Sequence, residues 1–249
     1  ATIRAARAAL HMWEEPCISG TRGSGAVFIS GCSLRCIFCQ NFEIAEGNCA
    51  KEISGERLSE IFLELQEQGA ANINLVTAAH YVPAVIESLK KAKAQGMDLP
   101  VIYNSSGYER VETVQMLEEV VDVWLPDFKY MDSKLAFATS RAKDYPEVAR
   151  AAIREMMKAA GTCAYDEDGY IQKGVIVRHL ILPGHTNNSI AVLDELYGTY
   201  GDDLTISLMN QYTPLPQVRN IPDLNRRVTK REYDRLVDHA VAIGVENGF

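Results

Sequence analysis

The chain has 249 residues, 47% hydrophobic and 23% charged, which suits one α/β domain with a sizeable core. Its net charge of −8 excludes a general nucleic-acid binder, which needs a basic face, and no apolar run of ~18 residues is present to span a membrane. Six cysteines, three of them crowded together, and no visible signal peptide fit a reducing, cytoplasmic setting better than a disulfide scaffold.

Residues 2–13 read equally as a short strand or a helical lead-in. Glu14-Glu15-Pro16-Cys17-Ile18-Ser19-Gly20 and Gly23-Ser24-Gly25 carry loop and turn chemistry. Ala26–Ser30, a β-forming apolar run bounded by glycines, is the first predicted strand. The chain thus divides into an N-terminal extension over residues 1–24 and one domain over 25–249. It opens on Ala1 rather than Met, so the expectation is that further residues precede it.

Gly55–Gln68 places Leu58, Ile61, Phe62 and Leu65 at helical period, with Gly69 as a stop. Strand two is Ile73–Thr77. Helix two is Val82–Ala94, with Pro83 in its first turn. Leu99–Tyr103 is strand three, followed by a loop at Asn104-Ser105-Ser106-Gly107; Val111–Glu119 is helix three and Val120–Leu125 strand four. Residues 145–160 form a longer helix, amphipathic at Val148, Ala152, Ile153 and Met156. Val175–Leu182 is strand five, Ser189–Tyr197 a helix, Leu204–Met209 strand six, and Thr229–Ile243 a last helix opened by a Thr229/Glu232 capping box. Successive β–α units imply a parallel sheet with right-handed crossovers. Six units are two short of a closed eightfold ring, so the sheet curves into a partial (β/α)6 barrel.

Working groups in such barrels come from the loops at the C-terminal ends of the strands. After the first strand stand Cys32, Cys36 and Cys39, spaced C-x3-C-x2-C within eight residues. Three thiolates can hold one [4Fe–4S] cube, which wants four ligands, leaving one iron open. S-adenosylmethionine (SAM) suits that vacancy, because its amino and carboxylate groups can chelate an iron. The alternative is a zinc site, which asks for a nearby fourth Cys or His; Cys49 has no paired spacing. Cys17, Cys49 and Cys163 read as small apolar residues.

This cysteine spacing, with Phe38 directly before the third cysteine, resembles the signature of the radical SAM superfamily. From about Glu14 onward the chain resembles the pyruvate formate-lyase activating enzyme and its uncharacterised relatives. The resemblance implies the same partial barrel. It also implies that cluster and SAM supply the chemistry, with no catalytic side chain beyond those that bind them. Where the family's strand-two loop, typically Gly-Gly-Glu, holds the amino group of SAM, this chain reads Ala78-Ala79-His80. That role is expected to pass to His80, Thr77 or backbone carbonyls. Asp127-Phe128-Lys129 matches the family's Asp-x-Lys, which implies Lys129 near the SAM carboxylate. Asp127 is expected beside a monovalent cation with the strand-three loop, here Asn104-Ser105. Arg178, a charge inside an apolar strand that calls for a partner, matches an arginine near SAM. Asn210 or Gln211 is expected at the ribose, and Phe38 by the adenine.

The implied activity is reductive cleavage of SAM to a 5′-deoxyadenosyl radical that takes a hydrogen atom from a substrate. The leading substrate is a glycine of a glycyl-radical enzyme. The alternatives are a small molecule or another protein as substrate, or a non-catalytic iron–sulfur electron carrier or sensor. The implied partners are a flavodoxin- or ferredoxin-type electron donor and a glycyl-radical enzyme.

Overall fold

In the computed structural model, which describes residues 2–249, the undecided N-terminal stretch is a strand. β1 (Thr2–His11) lies antiparallel between β2 (Ser24–Ile29) and β3 (Lys51–Ser54). Alanine-rich sequence favours helix by propensity, but pairing along both edges and full burial of Ile3 decide otherwise. Between β2 and β3 lie the cysteine loop and a short helix, α2 (Phe42–Glu46); ahead of β2 a single turn, α1 (Pro16–Ser19), follows β1.

The six predicted strands are β2, β4 (Ile73–Val76), β5 (Val101–Ser105), β6 (Val123–Pro126), β8 (Ile171–Leu180) and β9 (Thr205–Met209), each parallel to the next. A two-residue strand, β7 (Ala164–Tyr165), hairpins onto β8. The helices α3 (Gly55–Glu67), α4 (Val82–Ala94), α5 (Val111–Leu117), α7 (Tyr145–Ala160), α8 (Thr186–Tyr200) and α9 (Lys230–Ile243) form the crossovers and outer layer. Strands β4, β5 and β6 are buried almost throughout, as expected of a parallel sheet covered on both faces. The architecture is the partial (β/α)6 barrel.

Several boundaries move: β8 starts four residues earlier than predicted, α8 extends three residues at each end, and others shift for identifiable reasons. β5 starts after Pro100 and runs two residues further than predicted, so Asn104 and Ser105 belong to the strand. Val120 and Val121 instead close the end of α5, donating to the Leu117 carbonyl at 3.0 Å. An additional helix, α6 (Ser133–Ser140), is capped by Asp132, whose carboxylate accepts from the Lys134 and Leu135 amides at 2.7 and 3.2 Å. The Thr229/Glu232 capping box is present.

On the concave face, Ile102, Val123, Leu125 and Ile176 form a small apolar cluster with Cys17 and Ile18 of α1. The segment after β1 therefore covers the lower part of the concave face. Two residues further along the same strands, Asn104, Asp127 and Arg178 line an open cavity above it. Burial of each large apolar side chain contributes about 1.5–3 kcal/mol, and Trp124 and Tyr103, both fully buried and edge-to-face at 5.7 Å, anchor the strands that carry these polar residues. Residues 247–249 run along the outer edge of β9, exchanging backbone hydrogen bonds with Ile206 and Leu208. No helix is long and apolar enough to cross a membrane among the described residues.

Candidate active site

The cysteine loop leaves β2 through Gly31, whose φ of +103° is a region glycine enters freely. A Cβ there would sit 2.8 Å from His80 Nε2, so the loop passes directly over that imidazole. The C-terminal turn of α6 fastens the loop. The Ile37 amide donates to the Thr139 carbonyl at 2.9 Å, and the Ser140 hydroxyl donates to Cys36 Sγ at 2.9 Å. Cys32, Cys36 and Cys39 are all partly buried and line one cavity of about 510 Å3. Burial pushes their thiols up, Cys32 to about 11. Among the described residues no three His, Cys, Asp or Glu side chains gather closely enough for a single metal ion. Three thiols around one cavity can supply one thiolate to each of three irons of a cluster.

Along the same wall runs a chain of alternating charge. Lys129 Nζ pairs with Asp127 Oδ2; Asp127 Oδ1 lies 3.5 Å from Arg178 Nε; Arg178 Nη1 donates to Glu14 Oε2 at 3.0 Å. Arg178 Nη2 also donates to Asn104 Oδ1 at 2.6 Å. The four charged side chains are largely buried. Burial works against charge on Lys129 and Arg178, but Asp127 acting together with its neighbours, Cys36 at Lys129 and Glu15 and Glu14 at Arg178, outweighs it, and both stay above their ordinary values. Removing one member of such a buried pair costs about 3–5 kcal/mol, because its partner keeps a charge it cannot share.

Tyr145 fixes the backbone under this chain. Its hydroxyl lies 2.8 Å from the Ser106 carbonyl and 2.9 Å from the Asp127 carbonyl, either of which can accept its proton, and it accepts from the Lys129 amide at 3.0 Å. Gly107 permits the approach, since a Cβ there would lie 2.0 Å from the Asp127 carbonyl oxygen. Thr77, at the end of β4, adopts φ +60°, an uncommon conformation for a β-branched residue. Its amide donates to the Asn104 carbonyl at 2.9 Å, which ties the strained residue to the next strand.

Of the residues expected at the site, Cys32, Cys36, Cys39, Thr77, Asn104, Ser105, Asp127, Lys129, Arg178 and Gln211 line the one cavity. Phe38 is buried behind the loop, its ring 6.0 Å from that of Tyr212. Ala78 is fully buried, Ala79 and His80 begin a short 3-10 turn, and Asn210 is exposed beyond β9. Cys17 and Cys163 sit in apolar surroundings, but Cys49 is exposed, unlike an ordinary apolar residue.

Sequence reasoning did not find Glu14, His11 or Trp13, which reach the cavity from the end of β1 and the turn after it. The available signal was the Glu14-Glu15 pair ahead of an apolar Cys-Ile, but spacing cannot tell which strand end such a pair serves. Tyr145 was likewise readable only as a helix start.

The profile of the Radical SAM superfamily matches residues 26–196. An uncharacterised protein of Methanocaldococcus jannaschii is 27% identical over 238 residues, covering 93% of this chain and 65% of that protein, so the chain spans about two-thirds of its relative's length. A radical SAM methyltransferase of Sphaerobacter thermophilus superimposes with a TM-score of 0.60 at 14% identity, covering 91% of this chain and 65% of that one. A domain of a pyruvate-formate lyase-activating enzyme from Bacteroides vulgatus does so with a TM-score of 0.51 at 14% identity, covering 72% and 98%. At these identities the two structures speak for the fold. With its family profile spanning more than half the sequence and its C-x3-C-x2-C loop at the mouth of a six-stranded partial barrel, the chain belongs to the radical SAM superfamily.

Proposed function

We propose that this chain is a radical SAM enzyme whose [4Fe–4S] cluster is held by Cys32, Cys36 and Cys39 and whose SAM occupies the 510 Å3 cavity beside them. When bound, the two groups would supply one-electron cleavage of the sulfonium and hydrogen-atom abstraction from a substrate. The observation that carries the reading is the convergence, in one cavity, of three cysteines with a buried chain of paired charges.

The chain's own residues bind, orient and exclude water. Lys129, at one end of the charge chain, has donors left after pairing with Asp127 and can take a carboxylate. Glu14, at the other end, and Asp127 offer carboxylate oxygens to an ammonium or sulfonium. Thr77 stands in place of an acidic strand-two loop, its strained backbone aimed at the cavity. Ser105 and Gln211 offer hydrogen bonds to hydroxyls of a ribose. The hydrophobic floor of Ile102, Leu125 and Ile176 keeps water from entering below.

For the hydrogen donor we favour a glycine Cα of a partner enzyme, delivered as an extended loop. The support is the family resemblance together with a sheet that does not close, β9 being edged by residues 247–249 and β3 forming the opposite edge.

The test is anaerobic reconstitution with iron and sulfide, followed by SAM and dithionite. Formation of 5′-deoxyadenosine is expected; an intact cluster that yields none leaves an electron carrier or sensor as the reading. Co-expression with candidate glycyl-radical enzymes is expected to give a doublet radical signal. Deoxyadenosine without that doublet moves the substrate to a small molecule or another protein.

A further inference from the structure

Three buried hydroxyls stand in line behind the cysteine loop. Ser140 Oγ donates to Cys36 Sγ at 2.9 Å, the phenol oxygen of Tyr130 lies 2.6 Å from Ser140 Oγ, and the Thr139 hydroxyl lies 2.9 Å from the Tyr130 oxygen. Tyr130, Ser140 and Thr139 are 0%, 1% and 3% exposed, so bulk water does not reach their protons. Among the described residues, Ser140 is the one side chain that donates a hydrogen bond to any of the three motif sulfurs. The roles given above to Lys129, Asp127 and Glu14 make no use of these hydroxyls.

The direction of the line follows from counting protons. A thiolate that ligates iron can only accept, so the Ser140 proton is committed to Cys36 and Ser140 Oγ receives the proton of Tyr130. The Tyr130 oxygen in turn accepts from Thr139, whose single proton has the Leu135 carbonyl at 2.7 Å as its other acceptor. The frame around the line is rigid. Thr139 and Ser140 close α6, the Thr139 carbonyl accepts from the Ile37 amide at 2.9 Å, and the Tyr130 ring packs edge-on against Tyr145 at 5.1 Å. Threonine and serine are poorer helix formers than alanine, and a buried hydroxyl is costly unless it is bonded. Packing alone would be better served by small apolar side chains in that turn.

Hydrogen bonds to the ligand sulfurs are among the factors that set the potential of an iron–sulfur group. Each draws negative charge off the sulfur and so favours the state with one more electron. Donors in series polarise one another, so Ser140 at the end of the line is a stronger donor than it would be alone. We propose that Thr139, Tyr130 and Ser140 are positioning residues that act through Cys36 to make the iron–sulfur group easier to reduce. The inference rests on the cluster assignment above. The line carries no electron and gives up no proton. The electron comes from an external reductant such as dithionite, and the hydroxyls shift the balance between the oxidised group and the group one electron richer.

The test is a redox titration of the anaerobically reconstituted full chain with dithionite and mediators, followed by electron paramagnetic resonance. At one fixed potential, the ratio of reduced to oxidised group should fall about tenfold in Ser140→Ala, equivalent to about 59 mV for one electron. The fall should be about threefold in Tyr130→Phe and smaller again in Thr139→Val, the order that a polarised series predicts. Iron content should match the wild type in all three, so a merely structural role would leave the potential where it is. Tyr130→Phe strands no donor, because Thr139 keeps the Leu135 carbonyl, and it decides the matter if Ser140→Ala loads no iron. Wild-type potentials in the iron-loaded variants overturn the proposal. A shift in Ser140→Ala alone overturns it too, since it leaves one hydrogen bond and no relay. Shifted potentials in a protein that forms no deoxyadenosine would overturn the enzymatic reading and leave the relay standing. A wild type that holds no iron–sulfur group overturns the cluster assignment and the relay with it.

Discussion

Glu14 and Arg178 are 164 residues apart in the chain, yet they meet at 3.0 Å on the concave face of the barrel. One comes from the turn after the first strand, outside the segment that the family profile covers, and the other from β8. The pair joins the segment before β2 to the centre of the concave face, so that segment supplies part of the cavity wall.

Replacing Glu14 by Gln keeps the shape and removes the charge. SAM affinity, read by equilibrium dialysis on reconstituted protein, should fall by about tenfold or more, the scale of one charge-assisted hydrogen bond. Because Arg178 shares its guanidinium with Glu14, Asn104 and Asp127, Glu14→Gln and Arg178→Gln should be non-additive in stability, with a coupling of about 0.5–3 kcal/mol. Strict additivity would mean that the two side chains act independently.

Replacing Cys32, Cys36 or Cys39 singly by Ser should abolish the iron–sulfur absorbance of reconstituted protein and with it deoxyadenosine formation. Cys17→Ala, Cys49→Ala and Cys163→Ala should retain both. Retention of full iron content by any of the first three substitutions would remove that cysteine from the ligand set.

Tyr145→Phe deletes one oxygen that serves three backbone groups. The Lys129 amide is left without its acceptor, so chemical denaturation should show a loss of about 1–3 kcal/mol. Asp127 and Lys129 lose their anchor at the same time, and SAM binding should weaken even where the variant is fully folded. Wild-type affinity in a folded Tyr145→Phe protein would reduce Tyr145 to packing.

Two buried groups should pull the pH dependence of stability in opposite directions. Burial pushes His179 down from 6.5 to about 4; it bridges the Phe128 carbonyl at 2.7 Å and the Ser189 hydroxyl at 2.8 Å as a neutral ring. The unfolded chain then binds a proton that the folded chain refuses, so stability falls as pH drops from 6.5 toward 4. Burial beside Tyr103 and Ser105 pushes Glu109 up from 4.5 to about 7. Here the folded chain holds the extra proton, and stability falls as pH rises from 4.5 toward 7. Each effect is roughly 3 kcal/mol at full extent. Over the shared window the wild type should look nearly flat. Glu109→Gln should unmask a loss toward acid and His179→Gln a loss toward neutral pH, both read by urea denaturation. Parallel curves for the wild type and both variants would refute the pairing.

Much of this was legible in the sequence, because period and punctuation report local structure. The β–α alternation yields the six parallel strands, and the strand-end rule points to Cys32, Thr77, Asp127 and Lys129, which the structure gathers around one cavity. Arg178 announced itself as a charge in an apolar strand, and its partners are present. The partners themselves were hidden, because Glu14 and Tyr145 act across long sequence separations that periodicity does not encode. β1 escaped for a related reason: its alanines suit either conformation, and neighbouring strands make the choice. α6 is short, and its cap at Asp132 is the one local sign of it.

β1 also has a temporal meaning. The cysteine loop springs from β2 and lands on β3, and both feet of that arch rest on opposite edges of a strand made before either. Arg4 braces it from below, its guanidinium donating to the Gly47 carbonyl at 2.9 Å and its own carbonyl accepting from Ser30 at 2.8 Å. The pairings of β1 with β2 and β3 close within the first 54 residues, whereas Thr139 and Ser140, which fasten the loop, and Lys129 and Arg178 emerge from the ribosome far later. Such short-range closure is entropically cheap and fast. A nascent chain thus has the frame of the cysteine arch before α6, which fastens the loop, and the charged wall beside it have emerged.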